Sequence, residues 1–375
     1  MTRQDIRNSR QNRDTNQSRP TRRQALRTLG VIGGLSLAGC LDQGGNLTSN
    51  DKERDEGGND SEDQQKNGTE QENETEEETN ERLNPPENGA VVFVYDDGPV
   101  EDYTKAFPVH QQFKAPATVG ITSTWIGREN YMGIKHLEKL ADAGWEICSH
   151  TTEHLPIASF KIQKDIGADD REIYPTEIRH GHHEGKEVEL TDGANSVIRT
   201  VEGLGGEPED PHVVLTEAVG EPFKTGETVI RYPRETLHES LSESKRKLEK
   251  HGFEVDTLLA PYDRFNEWSM EFAPEYYTGV ANANYETRIN SEGFNPFETQ
   301  RGYFIENANR SVVESDLDEI AGRGALGVFG AHTVKDEVTQ ELIWETLEWI
   351  DERGIEVMTL RDAFAHFAEP QNSNK

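Results

Sequence analysis

From Ala90 onward the chain alternates short apolar runs with amphipathic stretches. Ala90–Tyr95 is apolar throughout, the pattern of a strand buried on both faces. Ala117–Thr122 reads as a second strand. Ile134, Leu137, Leu140 and Ala141 then recur at helical spacing, and Gly144 can stop that helix. Trp145–Ser149 is the next strand. Leu237–His251 reads as a helix ended by Gly252, and Phe253–Ala260 as a strand. Leu326–Ala331, Val338–Arg353 and Ile355–Thr359 give strand, helix and strand again. This rhythm predicts an α/β fold with a mostly parallel sheet, in which function gathers at the C-terminal ends of the strands. Residues from about 165 to 235 break the rhythm. Lys186–Leu190, Ser196–Val201, His212–Glu217 and Thr228–Tyr232 are β-like runs between Gly-rich turns, so a β-rich insertion is expected there.

Two of the strand ends carry chemistry. The first strand runs into Tyr95-Asp96-Asp97-Gly98, and the third into Ser149-His150-Thr151-Thr152-Glu153-His154. One Asp and two His can hold a divalent metal and leave coordination positions open, which frees the other Asp to act as a base. Two adjacent Asp at a strand end do not easily share one face, so they divide into ligand and base. Pro261 and His332 fall at two further strand ends, where His332 can face the metal from another side as an acid. Each piece has a blander reading. An Asp-Asp-Gly alone is commonly a turn, a His-x3-His alone is commonly solvated surface, and His332 could be a buried structural histidine. Their shared place at strand ends is the stronger signal. His180-Gly181-His182-His183, in the insertion, reads as a polar loop or a further metal site. Trp125 and Tyr262 are candidate stacking surfaces for a ligand ring, with a core position equally open to Trp125.

Charge narrows the partners. The 375-residue chain has a formal charge of -32. Residues 1–40 carry eight Arg against Asp5 and Asp14, residues 41–88 carry sixteen acids and four bases, and residues 89–375 carry 53 acids and 27 bases. Nothing in such a chain would neutralise phosphates, so nucleic acid is not an expected partner. The acidity reads as a salt-adapted, halophilic type of surface. Cys40 and Cys148 are the only cysteines, so no disulfide framework is expected, and Cys148 reads as a small buried hydrophobe.

The N-terminus reads as an export signal. Arg22-Arg23 precedes an uncharged stretch, Thr28 to Gly39, that is too short to span a bilayer. The stretch ends in Leu37-Ala38-Gly39-Cys40, which resembles a lipobox with Cys40 as the lipidated residue. The expectation is a twin-arginine-exported lipoprotein, tethered to the membrane at the cell surface through Cys40. Residues 41–88 are nearly free of apolar side chains and read as a disordered acidic linker. The expected plan is therefore a signal over 1–40, a linker over 41–88 and a catalytic domain over 89–375.

Five stretches carry a resemblance to a known family. Val94-Tyr95-Asp96-Asp97-Gly98-Pro99, Gly144 through His154, Ala260-Pro261-Tyr262, Gly330-Ala331-His332 and Gly354 through Leu360 are similar to the motifs of the polysaccharide deacetylases, also called carbohydrate esterase family 4 or the NodB-homology domain. The similarity covers roughly residues 89–368, apart from the insertion. It implies a distorted (β/α) barrel and a hydrolase acting on carbon–nitrogen bonds other than peptide bonds. Such an enzyme removes acetyl groups, N-acetyl foremost, from an extracellular or cell-surface polysaccharide. It also implies one divalent metal ion held by Asp97, His150 and His154. Zinc is expected there, with cobalt, nickel or manganese suited by ligand type. Asp96 is then the base on the attacking water, His332 the acid on the leaving group, and the Tyr262 backbone N–H, beside Pro261, a donor to the oxyanion. The rival readings are a non-catalytic carbohydrate-binding surface protein on the same fold and a hydrolase of another C–N bond on a small molecule, with the insertion as a lid.

The chain departs from the family pattern at three places. Leu259 stands where an Arg usually orients the base. Gly330 stands where a Leu usually lines the acetyl pocket, which predicts a roomier acyl pocket. The Asp-x-x-Asp-Trp stretch that supports the catalytic His is not recognisable. Arg301, after the irregular run Asn290–Thr299 and before a strand-like Tyr303-Phe304-Ile305, is the candidate to supply the missing guanidinium near Asp96.

Overall fold

A computed structural model describes residues 83–370. The twin-arginine segment, Cys40 and almost all of the acidic stretch at 41–88 lie outside the described residues. Along the chain, β1 (Ala90–Tyr95), β2 (Thr118–Ile121) and β3 (Glu146–Ser149) come first, with helices α1 (Phe107–Phe113) and α2 (Ile134–Asp142) between them. Six strands follow without a helix longer than one 3-10 turn: β4 (Phe160–Lys161), β5 (Glu172–Ile173), β6 (Glu187–Thr191), β7 (Ser196–Gly205), β8 (His212–Leu215) and β9 (Val229–Arg231). The chain then returns to alternation with α3 (Arg234–Glu249), β10 (Thr257–Leu258), the short α4 (Glu267–Met270) and α5 (Ala273–Tyr276), β11 (Gly279–Val280), β12 (Ile289–Asn290) and β13 (Gly302–Tyr303). It finishes with α6 (Arg310–Arg323), β14 (Leu326–Ala331), α7 (Gln340–Glu352), β15 (Glu356–Val357) and α8 (Leu360–Phe367).

The principal sheet runs β11-β10-β3-β2-β1-β14, with β13 parallel to β14 on its far side. All of these ladders are parallel. Beyond their ends, Asn284 and Gln300 form a parallel bridge that joins the β11 side to the β13 side. The Asn284 and Arg301 N–H groups donate across it at 3.0 and 2.9 Å. The sheet thereby curls round into a distorted barrel, with β12 antiparallel to β14 and β15 parallel to β1 as additions at the rim. The second sheet, β4-β9-β6-β7-β8-β5, is antiparallel throughout. It spans Phe160 to Arg231 and so starts a little before residue 165.

The apolar residues of β1 divide by period two. Val91, Phe93 and Tyr95 join the cluster beneath the helices. Ala90, Val92 and Val94 meet Cys148, Leu259, Ala281, Leu326 and Val328, residues from strands all round the sheet, so this second cluster fills the barrel. Leu360, Ala363, Phe364 and Phe367 of α8 belong to it and close its lower end. Their spacing makes α8 a helix, which Thr359 caps by accepting from the Asp362 N–H at 3.2 Å. Cys148 is fully buried in the barrel. Two expected strands are shorter than their apolar runs. Phe253–Ala260 forms a ladder only at Thr257–Leu258, and Ile355–Thr359 only at Glu356–Val357.

Candidate metal centre and catalytic site

The alternation that fills the barrel continues past the strand ends into polar residues. Asp96 follows Val92 and Val94, His150 follows Cys148, and His332 follows Val328 and Gly330 on the same parity. The backbone then leaves strand geometry. Asp97, Thr151, His154, Tyr262 and Asp263 all have positive φ, between 54 and 73°. Strained, non-glycine conformations of this kind concentrate where geometry serves a site. At Asp97 (φ 73°) the turn redirects the second carboxylate away from the first.

Asp97, His150 and His154 form one cluster. Asp97 Oδ1 lies 3.2 Å from His150 Nε2 and 3.3 Å from His154 Nε2. One ligand atom from each residue falls within 4.8 Å of the others, the sole such group of three or more among the described residues. His150 Nδ1–H donates to the Leu259 carbonyl at 2.8 Å, which fixes the tautomer and turns Nε2 towards Asp97. Helix α3 holds the turn between the two histidines. Ser244 Oγ donates to the Thr151 carbonyl at 3.0 Å, and Ser240 Oγ lies 2.9 Å from Thr152 Oγ1.

The electrostatics suit a cation. Burial opposes ionisation of Asp97, but the adjacent His150 and then His154 outweigh it and hold the carboxyl well below its usual range. Burial, helped by His150, pushes His154 down to about 3, so its imidazole is neutral and its lone pair available. Asp97 Oδ1 is buried and makes no regular hydrogen bond within the protein. An orphaned carboxylate oxygen beside two imidazole nitrogens fits a divalent metal.

Asp96 is only 4% exposed. Arg301 Nη2 donates to its Oδ1, and Arg301 Nη1 donates to Asp263 Oδ1 at 2.8 Å. Asp263 also accepts from Asn282 Nδ2 at 2.7 Å and from the Tyr303 hydroxyl at 2.5 Å. Burial raises the Asp96 carboxyl above its usual range against the opposing pull of Arg301 and His332. The guanidinium is itself buried and lies where a residue 330 side chain would go. A Cβ on Gly330 would stand 2.3–2.4 Å from three guanidinium atoms. This corrects the expectation of a roomier acyl pocket, because the space vacated at residue 330 is filled by Arg301.

His332 Nε2 is 3.6 Å from Asp96 Oδ2. Its Nδ1–H donates to Glu306 Oε1 at 2.6 Å, and the same oxygen accepts the His332 backbone N–H at 3.1 Å. Burial works against the imidazolium, but Asp96 and then Glu306 raise it to about 9. Sequence reasoning missed both Glu306 and Asp263. Glu306 is a lone acid in an undistinguished loop. Asp263 had one usable signal, its place directly after Pro261-Tyr262.

Tyr262 covers the cluster from above. Its ring centroid is 4.4 Å from that of His154, and Trp125 stacks on the same imidazole at 5.5 Å. Trp125 is half-buried, and Pro261 is buried at the start of a 3-10 turn. The insertion reaches this wall through His183, whose Nε2 is 3.3 Å from the Tyr262 hydroxyl. The polar-loop reading of the histidine run fails at His180. That residue is fully buried between Phe160 and Tyr232 and has no hydrogen-bond partner on either ring nitrogen.

Residues 84–185 match the family model described as polysaccharide deacetylase. Bacillus subtilis YxkH, a polysaccharide deacetylase by name, is 26% identical over 91 residues, which take in 24% of this chain and 33% of the relative. Among solved structures, a family 4 acetyl xylan esterase from Clostridium thermocellum in complex with cobalt is 11% identical, covering 73% of this chain and 90% of its own at a TM-score of 0.37. A family 4 carbohydrate esterase from Streptomyces lividans in complex with acetate is 10% identical, covering 76% and 99% at a TM-score of 0.39. The matched residues 84–185 contain Asp96, Asp97, His150 and His154, so the candidate metal cluster and the neighbouring carboxylate lie within the stretch that matches the polysaccharide deacetylase family model.

Proposed function

We propose that this chain is a metal-dependent hydrolase that removes acetyl groups, N-acetyl foremost, from a polysaccharide. The observation that carries the reading is a pair of oppositely held groups beside one metal-type cluster. Asp96 accepts from the buried Arg301 guanidinium, and His332 is held through Nδ1 by Glu306, which leaves Nε2 facing the site. Amide hydrolysis needs both, since a proton leaves the attacking water and another reaches the departing nitrogen.

Asp97, His150 and His154 would hold the ion, and zinc, cobalt, nickel and manganese all suit one carboxylate and two imidazoles. When bound, the ion supplies Lewis acidity and lowers the pKa of the attacking water. Asp96 accepts the water proton. His332 Nε2 then gives a proton to the leaving amine, while Glu306 keeps its hold on Nδ1–H. The Tyr262 backbone N–H, presented by its left-handed turn, donates to the carbonyl oxygen as charge develops there. Water and the acetamide thus yield acetate and a free amine.

Export as a lipoprotein anchored at Cys40 belongs to the same proposal. It rests on Arg22-Arg23 and Leu37-Ala38-Gly39-Cys40 in the sequence. Acetate release from acetylated glycans by the purified protein in high salt tests the activity. Release should cease with chelator and with Asp97→Ala. Release that ignores both refutes the metal mechanism, and metal binding without release on any acetylated glycan favours the non-catalytic binder. Labelling of Cys40 by a lipid precursor in cells tests the anchor.

A further inference from the structure

The insertion supplies no group to the proposed chemistry, yet it grips both loops that carry it. The 3-10 turn Arg179–His182 and its neighbours face the Tyr262 loop. His183 Nε2 lies 3.3 Å from the Tyr262 hydroxyl, and the Arg179 guanidinium stands over the Tyr262 ring, 4.9 Å from its centroid. Glu177 joins the two sides. One of its oxygens accepts from Arg179 Nε at 3.1 Å, and the other accepts from Arg264 Nε, two residues past Tyr262. On the second loop, Lys186 pairs with Glu153, the residue before His154. The turn is itself anchored. His180 is fully buried between Phe160 and Tyr232, which leaves His182 and His183 to face Tyr262.

Tyr262 needs such a grip. It and Asp263 are consecutive non-glycine residues in the left-handed region, at φ 63 and 54°. A strained pair of this kind persists only where its surroundings fix it. The barrel fixes Asp263, through Arg301, Asn282 and the Tyr303 hydroxyl. The insertion fixes the Tyr262 side chain, through His183 and Arg179. The turn is thus held from two sides. Its conformation aims the Tyr262 backbone N–H and also lays the ring 4.4 Å, centroid to centroid, from the His154 imidazole. Loosening the insertion side would displace both together.

We propose that His183 and Glu177 of the insertion are positioning residues, which clamp the Tyr262 turn so that its N–H stands preorganised for the oxygen on which charge develops. His183 acts through the Tyr262 hydroxyl. Glu177 acts by holding Arg179 over the ring and Arg264 at the end of the turn. The service to catalysis rests on the deacetylase reading, whereas the clamp itself does not.

The test compares His183→Ala, His183→Gln and Glu177→Gln with the wild type on the full chain, by amide hydrogen exchange and by acetate release from an acetylated glycan. In His183→Ala and Glu177→Gln, exchange over residues 259–266 should quicken by about tenfold while β1 and β14 keep their protection. The same two variants should lose about 10- to 100-fold in kcat, up to the loss that a 1 Å misplacement causes, with KM near wild type. His183→Gln can still hydrogen-bond the Tyr262 hydroxyl and should recover most of both losses. If it behaves as His183→Ala does, the hydroxyl is not the means. Unchanged exchange at 259–266 in either variant overturns that residue's part in the clamp. Exchange that quickens equally in β1 and β14 overturns it too, since that marks a general loss of stability. Faster exchange of the turn with wild-type kcat overturns the positioning role and leaves the deacetylase reading intact. If the wild type turns over no acetylated glycan, that reading fails, and the exchange measurement alone decides the clamp.

Discussion

The Arg301 guanidinium occupies the volume that a side chain at residue 330 would fill, and from there it reaches Asp96. The two residues therefore form one device. With Leu259 in the place of the expected arginine, the positive charge arrives from another strand, and glycine at 330 is what admits it. Gly330→Ala should push the guanidinium off Asp96 and lower kcat by about 10- to 100-fold, up to the lower end of the roughly 100- to 10,000-fold that a general base contributes, because the base is mispositioned and not removed. Arg301→Met should lose as much, and adding Gly330→Ala to it should cost little more, because the contact is already gone. Additive losses in kcat would separate the two residues. Gly330→Leu is then a test of the base and not of acyl-chain length.

On the proposed mechanism, His332 and Glu306 should set the alkaline limit of activity. The acid works protonated, and Asp96 and Glu306 raise its imidazole to about 9. In the chain without metal, the imidazolium persists through neutral pH and is lost as pH rises through that value. Glu306→Gln keeps a hydrogen-bond acceptor but removes the charge. The falling limb of kcat against pH should move to lower pH, with the plateau reduced less than the limb is shifted. A uniform fall at all pH values would make Glu306 structural only. Folding should follow the same sign. The raised pKa means that the fold binds this proton more tightly than the unfolded chain does. The stabilisation is therefore full below about 6.5, the usual histidine value, and gone above about 9.

What the sequence disclosed depended on whether a residue's role was local. β1 and β14 lie where their apolar runs place them, because a strand buried on both faces is written in consecutive residues. Asp96, His150 and His332 were legible because each extends the alternation of its own strand by one step. Asp263 and Glu306 were not, since each acts only on a partner that the fold brings from far along the chain. α8 is not among the expected elements although Leu360, Ala363, Phe364 and Phe367 carry helical spacing, because it follows the apolar run of β15 with only two residues between. Phe253 and Val255 read as strand because they are apolar and buried, yet burial alone gives no ladder partner. The space at Gly330 was visible as a missing side chain, but its occupant could only be seen in three dimensions.

The ligand cluster predicts a metal dependence that can be read without substrate. Loading with zinc should raise the melting temperature with the logarithm of ligand excess, as expected when the folded state alone binds. His154→Ala and Asp97→Ala should each weaken metal affinity by more than the roughly 10- to 100-fold that loss of a supporting group costs. Calorimetry on the apo-protein checks both the stoichiometry of one ion and the losses. Unchanged affinity in Asp97→Ala would mean that the ion sits elsewhere.

Glu146 lies within the histidine motif, yet its surroundings give it a structural task. It is buried, and one oxygen accepts from Thr257 Oγ1 at 2.5 Å while the other accepts from Thr118 Oγ1 at 3.1 Å and the Arg361 N–H at 2.9 Å. One carboxylate therefore joins β2, β3, β10 and the start of α8 at the lower end of the barrel. Burial raises its pKa against these donors. Replacing it leaves hydroxyls and an amide without partners, at about 1–3 kcal/mol for each stranded group. Glu146→Ala should accordingly lower unfolding stability by several kcal/mol in chemical denaturation, while metal affinity per folded molecule stays near wild type. Glu146→Gln should lose less, because its carbonyl oxygen still accepts but its amide cannot serve both remaining donors. A fall in activity without a fall in stability would move Glu146 from the framework of the barrel to the chemistry above it.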